Sequence, residues 1–304
     1  MQSLCRVNSD SSFVLSFAGG LRVLIDPWLT RTPEVDGHEL FNKAEHDDTK
    51  PPVGIESIGK IDVIVISMPF SDHCHELTLE QFDSRIPILA VAEARKRLMT
   101  HGTLRQRAIG VIPDNTLLNW NDIFQIAHVP STGLLDFTHN GLLITTKSSD
   151  KQCLFYCPHG FRADQITPSC IIKTYNGGCV DLLMTTFTLY RLPLLLGSDV
   201  NLGIENALEL LSALQVKAVV DVHSGNKTSS GLVPLFARAS HPPEAEILEA
   251  FQARTTSYVS MDDYEEHPEV FAVGAAAGKR KSADGSSSKK KKKKKKKKVW
   301  SQHH

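Results

Sequence analysis

Asp72, His73 and His75 cluster in the stretch Ser67-Met68-Pro69-Phe70-Ser71-Asp72-His73-Cys74-His75, directly after the apolar run Ile61-Asp62-Val63-Ile64-Val65-Ile66. Where a strand ends and the chain turns, side chains one and two residues apart can converge on one point. The stretch therefore offers a carboxylate oxygen and two imidazoles to a metal ion. Hydrolytic zinc sites use such ligands at about 2.0–2.2 Å and keep one position open for water. The same residues have plainer uses. His75 stands where it can cap a helix opening near Glu76 and Leu77, and two imidazoles with a carboxylate also occur in solvated turns.

The elements that must position these residues are legible as apolar runs. Phe13 to Ala18 and Leu21 to Ile25 read as two strands joined by Gly19-Gly20, a pair that takes the positive φ angles of a hairpin turn. This hairpin delivers Asp26 to a strand end. Further runs at 61–66, 86–91, 108–112, 123–129, 141–146, 153–157, 181–187 and 217–222 predict strands. Helical patterns cover 92–99, 204–216 and 244–254, the second with Leu208, Leu211 and Leu214 at helical spacing and Glu205 and Glu209 in its first half. Residues 30–59 carry no sustained period and read as a long loop, a candidate flap over the site. Asn176-Gly177-Gly178 reads as a hairpin turn. The order of elements predicts an α/β chain of two sheets sandwiched by helices.

The 304 residues are 41% hydrophobic, ample for a core, yet hold no run of about 18 apolar residues that would predict a transmembrane helix. Met1 to Arg6 lacks the layout of a secretion signal. Six spread cysteines without a Cys-x-x-Cys pair predict free thiols in a reducing, intracellular setting, nucleus or cytoplasm, with Cys153 and Cys157 part-buried. There is no Gly-x-Ser-x-Gly elbow and no phosphate-binding Gly-x-x-x-x-Gly-Lys-Ser/Thr loop. The formal net charge of zero hides a division. Residues from Lys279 onward hold 13 of the 34 basic residues and one of the 34 acidic ones, leaving 21 basic against 33 acidic in the body. The body should repel polyanions and the tail attract them.

Met68-Pro69-Phe70-Ser71-Asp72-His73 resembles the His-x-His-x-Asp-His motif of the metallo-β-lactamase superfamily, and Leu24-Ile25-Asp26-Pro27-Trp28-Leu29 resembles that family's first motif, a strand ending in Asp. The resemblance covers residues 1 to about 260. It implies an αββα sandwich, two mixed β-sheets flanked by helices, over 1–270, followed by a disordered lysine-rich tail over 271–304. In the family the two leading histidines help to hold a first ion. Met68 and Phe70 stand in their places; Phe has no donor atom and a thioether suits Cu(I) better than zinc. The resemblance thus implies that the first ion site is lost. Asp72 and His73 match the second. His223 ends an apolar strand where the family's last His ligand falls, and His159 lies in the region of the fourth motif, which normally supplies Asp.

The expectation is a site for one zinc ion in which Asp72, His73 and His223 are ligands, His159 is a fourth ligand or general base, and Asp26 orients the metal loop from behind. Such a site would hydrolyse an ester, thioester, lactone or phosphodiester in a small-molecule substrate. The alternative is a non-catalytic scaffold or binding module that keeps the fold without metal. His128 and His139 bracket the third-motif region, where His128 reads as a hydrogen-bonded strand residue. A third possibility gives the working role to the tail. Lys279-Arg280-Lys281 and the lysines 289 to 298 resemble a bipartite import signal and would bind nucleic acid without sequence preference. Truncation after Gly278 should then abolish retention of the protein on a DNA column at low salt, and retention of the full chain should fall steeply as salt rises.

Overall fold

Val63-Ile64-Val65-Ile66 is buried at every position, the signature of a central strand covered on both faces. In the computed structural model, which describes residues 1–35, 37–46, 52–133, 136–148, 151–193, 199–224, 227–252, 254–261, 265–268 and 271, it lies inside a seven-stranded sheet. Across that sheet the order is Glu266–His267, Ser3–Arg6, Phe13–Ser16, Arg22–Ile25, Val63–Ile66, Ile88–Ala90 and Ile109–Val111. A second seven-stranded sheet runs Ser257–Tyr258, Gln215–Asp221, Cys179–Thr185, Cys153–Cys157, Gly141–Thr146, Phe124–Val129 and Leu118–Trp120. Every apolar run named above forms a strand.

The sheets face each other across one apolar core. Leu15, Val23, Val63 and Val65 of the first face Ile126, Ile144, Leu154 and Met184 of the second, and the rings of Phe17 and Phe124 stack 5.1 Å apart. On its outer face the second sheet carries another core, where Leu183 and Val219 pack against Ile172, Leu210 and Ile247 from helices Ile171–Asn176, Gly203–Ala213 and Glu244–Gln252. Helix Ala92–Thr100 buries Ala94 and Leu98 in the first core. The result is the αββα arrangement.

Three local expectations are corrected. Residues 30–59 contain strands Glu34–Val35 and Lys43–His46, which pair with each other, and Lys43–His46 also pairs with Lys227–Ser230 to complete a small sheet. Strands of two and four residues, partnered from far along the chain, leave no periodic trace. Asn176-Gly177-Gly178 does not turn a hairpin. It ends a helix, with Gly177 in the left-handed region at φ 61°, and feeds Cys179–Thr185, which runs parallel to Cys153–Cys157. The helix expected to reach Val216 stops at Ala213, because Gln215–Asp221 with its β-branched Val216, Val219 and Val220 is an interior strand.

All six cysteines are free, and Cys153 and Cys157 are buried. Among the described residues no helix is long and apolar enough to cross a membrane. The expected tail from 272 onward, with its lysine run, lies outside the described residues. Phe124 is fully buried between the sheets. Phe124→Ala should cost about 3–5 kcal/mol of unfolding free energy, measured by urea titration.

Candidate metal centre

Four strand ends build the site. Asp26 follows Arg22–Ile25, the Ser67 to His73 turn follows Val63–Ile66, His159 follows Cys153–Cys157, and His223 follows Gln215–Asp221. The first two strands are parallel neighbours, and so are the last two with Cys179–Thr185 between them. Their carboxyl ends open on one rim of the sandwich, the usual place for a site in parallel sheets. Asp26 and His223 sit at positive φ, 45° and 57°. Asp and His enter this left-handed region more readily than most non-glycine residues.

Asp26 is fully buried, and each of its oxygens is engaged. Oδ1 accepts from the Ser67 backbone N–H at 2.7 Å; Oδ2 accepts from Tyr156 Oη–H at 2.8 Å, from His73 Nδ1–H at 2.8 Å and from the Ser67 hydroxyl. The bond to Asp26 puts a His73 proton on Nδ1 and turns Nε2 toward His159. His159 is held in the same way, its Nδ1 donating to Asn201 Oδ1 at 2.6 Å. The two Nε2 atoms then face each other at 3.0 Å. Ring centroids of His159 and His223 are 4.4 Å apart, and those of His73 and His223 5.1 Å.

One ligand atom from each of these histidines lies within 4.8 Å of the other two. Asp72 Oδ1 stands 3.7 Å from His73 Nε2, and Asp72 Oδ2 lies 3.0 Å from His223 Nε2, a hydrogen bond that needs a proton on that nitrogen and is given up if the nitrogen binds an ion. Ligands bound at about 2.0–2.2 Å around a tetrahedral zinc are roughly 3.3–3.6 Å apart; the spacings of 3.0 and 3.7 Å here fall on either side of that range. Two neutral imidazoles whose Nδ1 protons are both committed present lone pairs to each other at Nε2, which is unfavourable unless a cation or a proton lies between them.

Electrostatics supply that proton in the absence of an ion. Burial opposes charge on His73, but Asp72 and Asp26 outweigh it and raise its pKa to about 9. Burial, then the neighbouring His223 and His73, push His159 well below the ordinary imidazole range, so it stays neutral and accepts. Burial likewise opposes charge on Asp72, yet Lys227, His73 and His223 together hold its carboxyl well below the usual value. Lys227 Nζ lies 2.9 Å from Asp72 Oδ2 and 2.7 Å from Asp10 Oδ2. Its pKa is raised, because Asp10, Asp72 and Glu34 outweigh the burial that would lower it.

The structure thus brings Asp72, His73, His159 and His223 together, with Asp26 on the Nδ1 side of His73, opposite His159. His75 caps helix Glu76–Leu79 by accepting from the Thr78 N–H. His128 lies in its strand and bonds Asp114 at 2.7 Å, and His139 lies against Asp136. Met68 is fully buried, and Phe70 sets its ring edge-on to His159 with centroids 6.1 Å apart. Asp10, Tyr156, Asn201 and Lys227 escaped the sequence analysis. For Asp10 the signal was there, in the polar run Asn8-Ser9-Asp10-Ser11-Ser12 between two strands. The other three lie in segments with no metal-type pattern.

A family model described as a beta-lactamase superfamily domain matches residues 7–223. The chain belongs to this superfamily. Among solved structures it is similar to a possible metal-dependent hydrolase from Veillonella parvula DSM 2008, at 13% identity over 88% of this chain and 98% of that one, TM-score 0.62. It is also similar to an isothiocyanate hydrolase from Delia radicum gut bacteria, at 17% identity, 88% and 98% coverage and TM-score 0.61. A third is a metallo hydrolase from the archaeon Ignicoccus hospitalis KIN4/I, at 16% identity, 88% and 97% coverage and TM-score 0.58. At these identities the likeness is one of fold. No curated protein matches the sequence. The metallo-β-lactamase fold implies a metal, and the His and Asp groups described above are candidates to hold it.

His73 makes the metal-free protein sensitive to pH. Its pKa in the folded state, about 9, exceeds the value of about 6.5 expected unfolded, so its stabilising contribution is complete below pH 6.5 and lost as pH rises toward 9. Urea midpoints of chelator-treated protein should fall across that window, and His73→Gln should flatten the decline.

Proposed function

We propose that the protein is a hydrolase with a single metal ion, zinc, held by His73, His159, His223 and Asp72, with Asp26 as the positioning residue behind His73. The observation that carries this is the pair of Nε2 atoms facing each other at 3.0 Å with both Nδ1 protons committed elsewhere. Three imidazoles and one carboxylate suit zinc. Such an ion would lower the pKa of its water from 15.7 to about 7, supplying hydroxide for attack on an ester, thioester, lactone or phosphodiester.

The chain's own residues divide the remaining work. His73 must release the Nε2 proton that it shares with His159, so ion uptake should weaken as pH falls below about 9. Asp26 and Asn201 hold the two rings in the tautomers that leave Nε2 free. Phe70 and the deep burial of His73 and His159 restrict entry, which favours a small reacting group. The hydrolase descriptions of the similar structures support the reaction class.

A second reading, a metal-free binding module, is favoured by Met68 and Phe70 standing where donor atoms would complete a second ion's shell. The lysine-rich end is proposed as a separate electrostatic handle for nucleic acid or an import receptor, whether in nucleus or cytoplasm. Metal analysis by mass spectrometry on protein purified without chelators separates the two readings of the body. The hydrolase reading expects about one ion per chain, lost in Asp72→Ala, His73→Ala and His159→Ala. A wild-type protein without metal whose melting temperature ignores added zinc would overturn the hydrolase reading and favour the module without metal.

A further inference from the structure

Beside the imidazole cluster lies a second grouping of metal-type donors. Asp10, Asp72 and His223 each place a ligand atom within 4.8 Å of the others. Asp10 comes from the turn between Ser3–Arg6 and Phe13–Ser16, a segment outside the motifs that define the first site. Its carboxylate is buried, and Oδ1 has no hydrogen-bond partner among the described residues; the His223 Nδ1 atom is 3.6 Å away. An under-satisfied oxygen aimed into a buried acidic hollow is what a cation site leaves when its occupant supplies charge and little else.

The hollow is already filled from within. Lys227 Nζ bridges the two carboxylates at 2.7 Å and 2.9 Å. Its side chain is only 15% exposed, and the ammonium also lies 5.4 Å from the centroid of the Trp28 ring. The backbone fixes its position too. Lys227 opens strand Lys227–Ser230 and pairs with His46, whose ring stacks on Trp28. Two buried carboxylates this close would repel each other strongly without a cation between them.

We propose that Asp10, Asp72 and His223 form a second cation site, and that this chain fills it permanently with the tethered ammonium of Lys227, so that no second metal ion can enter. Asp72 is then divided between the two sites. Oδ2 serves Lys227 and His223, while Oδ1 is turned toward His73. Unlike a bound ion, a tethered ammonium cannot be chelated away and offers no Lewis acidity. The proposal deepens the single-ion reading, although the blocked site stands on its own observations.

Zinc stoichiometry, read by calorimetric titration and by mass spectrometry after gel filtration, tests it in wild type, Lys227→Arg, Lys227→Ala and Lys227→Gln. Wild type and Lys227→Arg should take one equivalent. Lys227→Ala and Lys227→Gln should take two, and adding Asp10→Asn should return them to one. If the neutral variants fold only with zinc, a melting temperature that climbs with zinc concentration is the expected result. Two equivalents in wild type would overturn the proposal. So would neutral variants that gain neither an extra equivalent nor zinc-dependent folding. If wild type takes none and Lys227→Ala takes one, the single-ion reading fails while the blocked site stands. One equivalent in both has the opposite meaning.

Discussion

One carboxylate ties the two halves of the molecule together at the rim. Asp26 leaves the first sheet and accepts the Ser67 N–H, which starts the metal-type turn of that sheet, and the His73 ring at its end. It also accepts the hydroxyl of Tyr156, which rises from the middle of the second sheet. Its own carbonyl takes the Ser12 hydroxyl, whose oxygen in turn accepts from the Trp28 N–H. A buried carboxylate is costly unless its lone pairs are satisfied. Here the partners that satisfy Asp26 are the groups whose placement the site requires, so the inter-sheet anchor and the orientation of His73 are one interaction.

Around this anchor the charges alternate. Asp26 faces His73, His73 faces Asp72, and Asp72 faces Lys227, which in turn faces Asp10. In surroundings of low dielectric such contacts are strong when complete, and any member left alone is expensive. The polar cluster is buried beside an apolar core that cannot solvate it, so its neighbours must balance each charge. That explains how His73 can be raised while His159, 3.0 Å away, is depressed. A single mobile proton or a single ion resolves the conflict between the two rings.

The strands were legible where burial on both faces writes continuous apolar runs, as at Val63–Ile66, Gly141–Thr146 and Cys153–Cys157. The small sheet of Glu34–Val35, Lys43–His46 and Lys227–Ser230 was not, because Lys43–His46 is polar and gains its strand character from Lys227–Ser230, far along the chain. Asn176-Gly177-Gly178 has the composition of a hairpin turn and of a helix cap alike, and only the parallel strand that follows distinguishes them. In the site, Asp72 and His73 were visible as a local cluster, and Asp26, His159 and His223 through their place at strand ends. Tyr156 and Lys227 were not. They contact Asp26 and Asp72 across 130 and 155 residues, and no local pattern encodes a partner so distant.

The sequence by itself determined which apolar runs form the strands of the two large sheets' interiors, which donor atoms are available, and that positions 68 and 70 carry none suited to zinc, because these follow from side-chain chemistry and short-range periodicity. The tertiary structure alone decided that Asp26 stands behind His73, that the Nε2 atoms of two imidazoles meet at 3.0 Å, and that an ammonium occupies the space between Asp10 and Asp72. Each depends on the convergence of separate strand ends on one rim, where the balance of charge is set by distance through space and not along the chain.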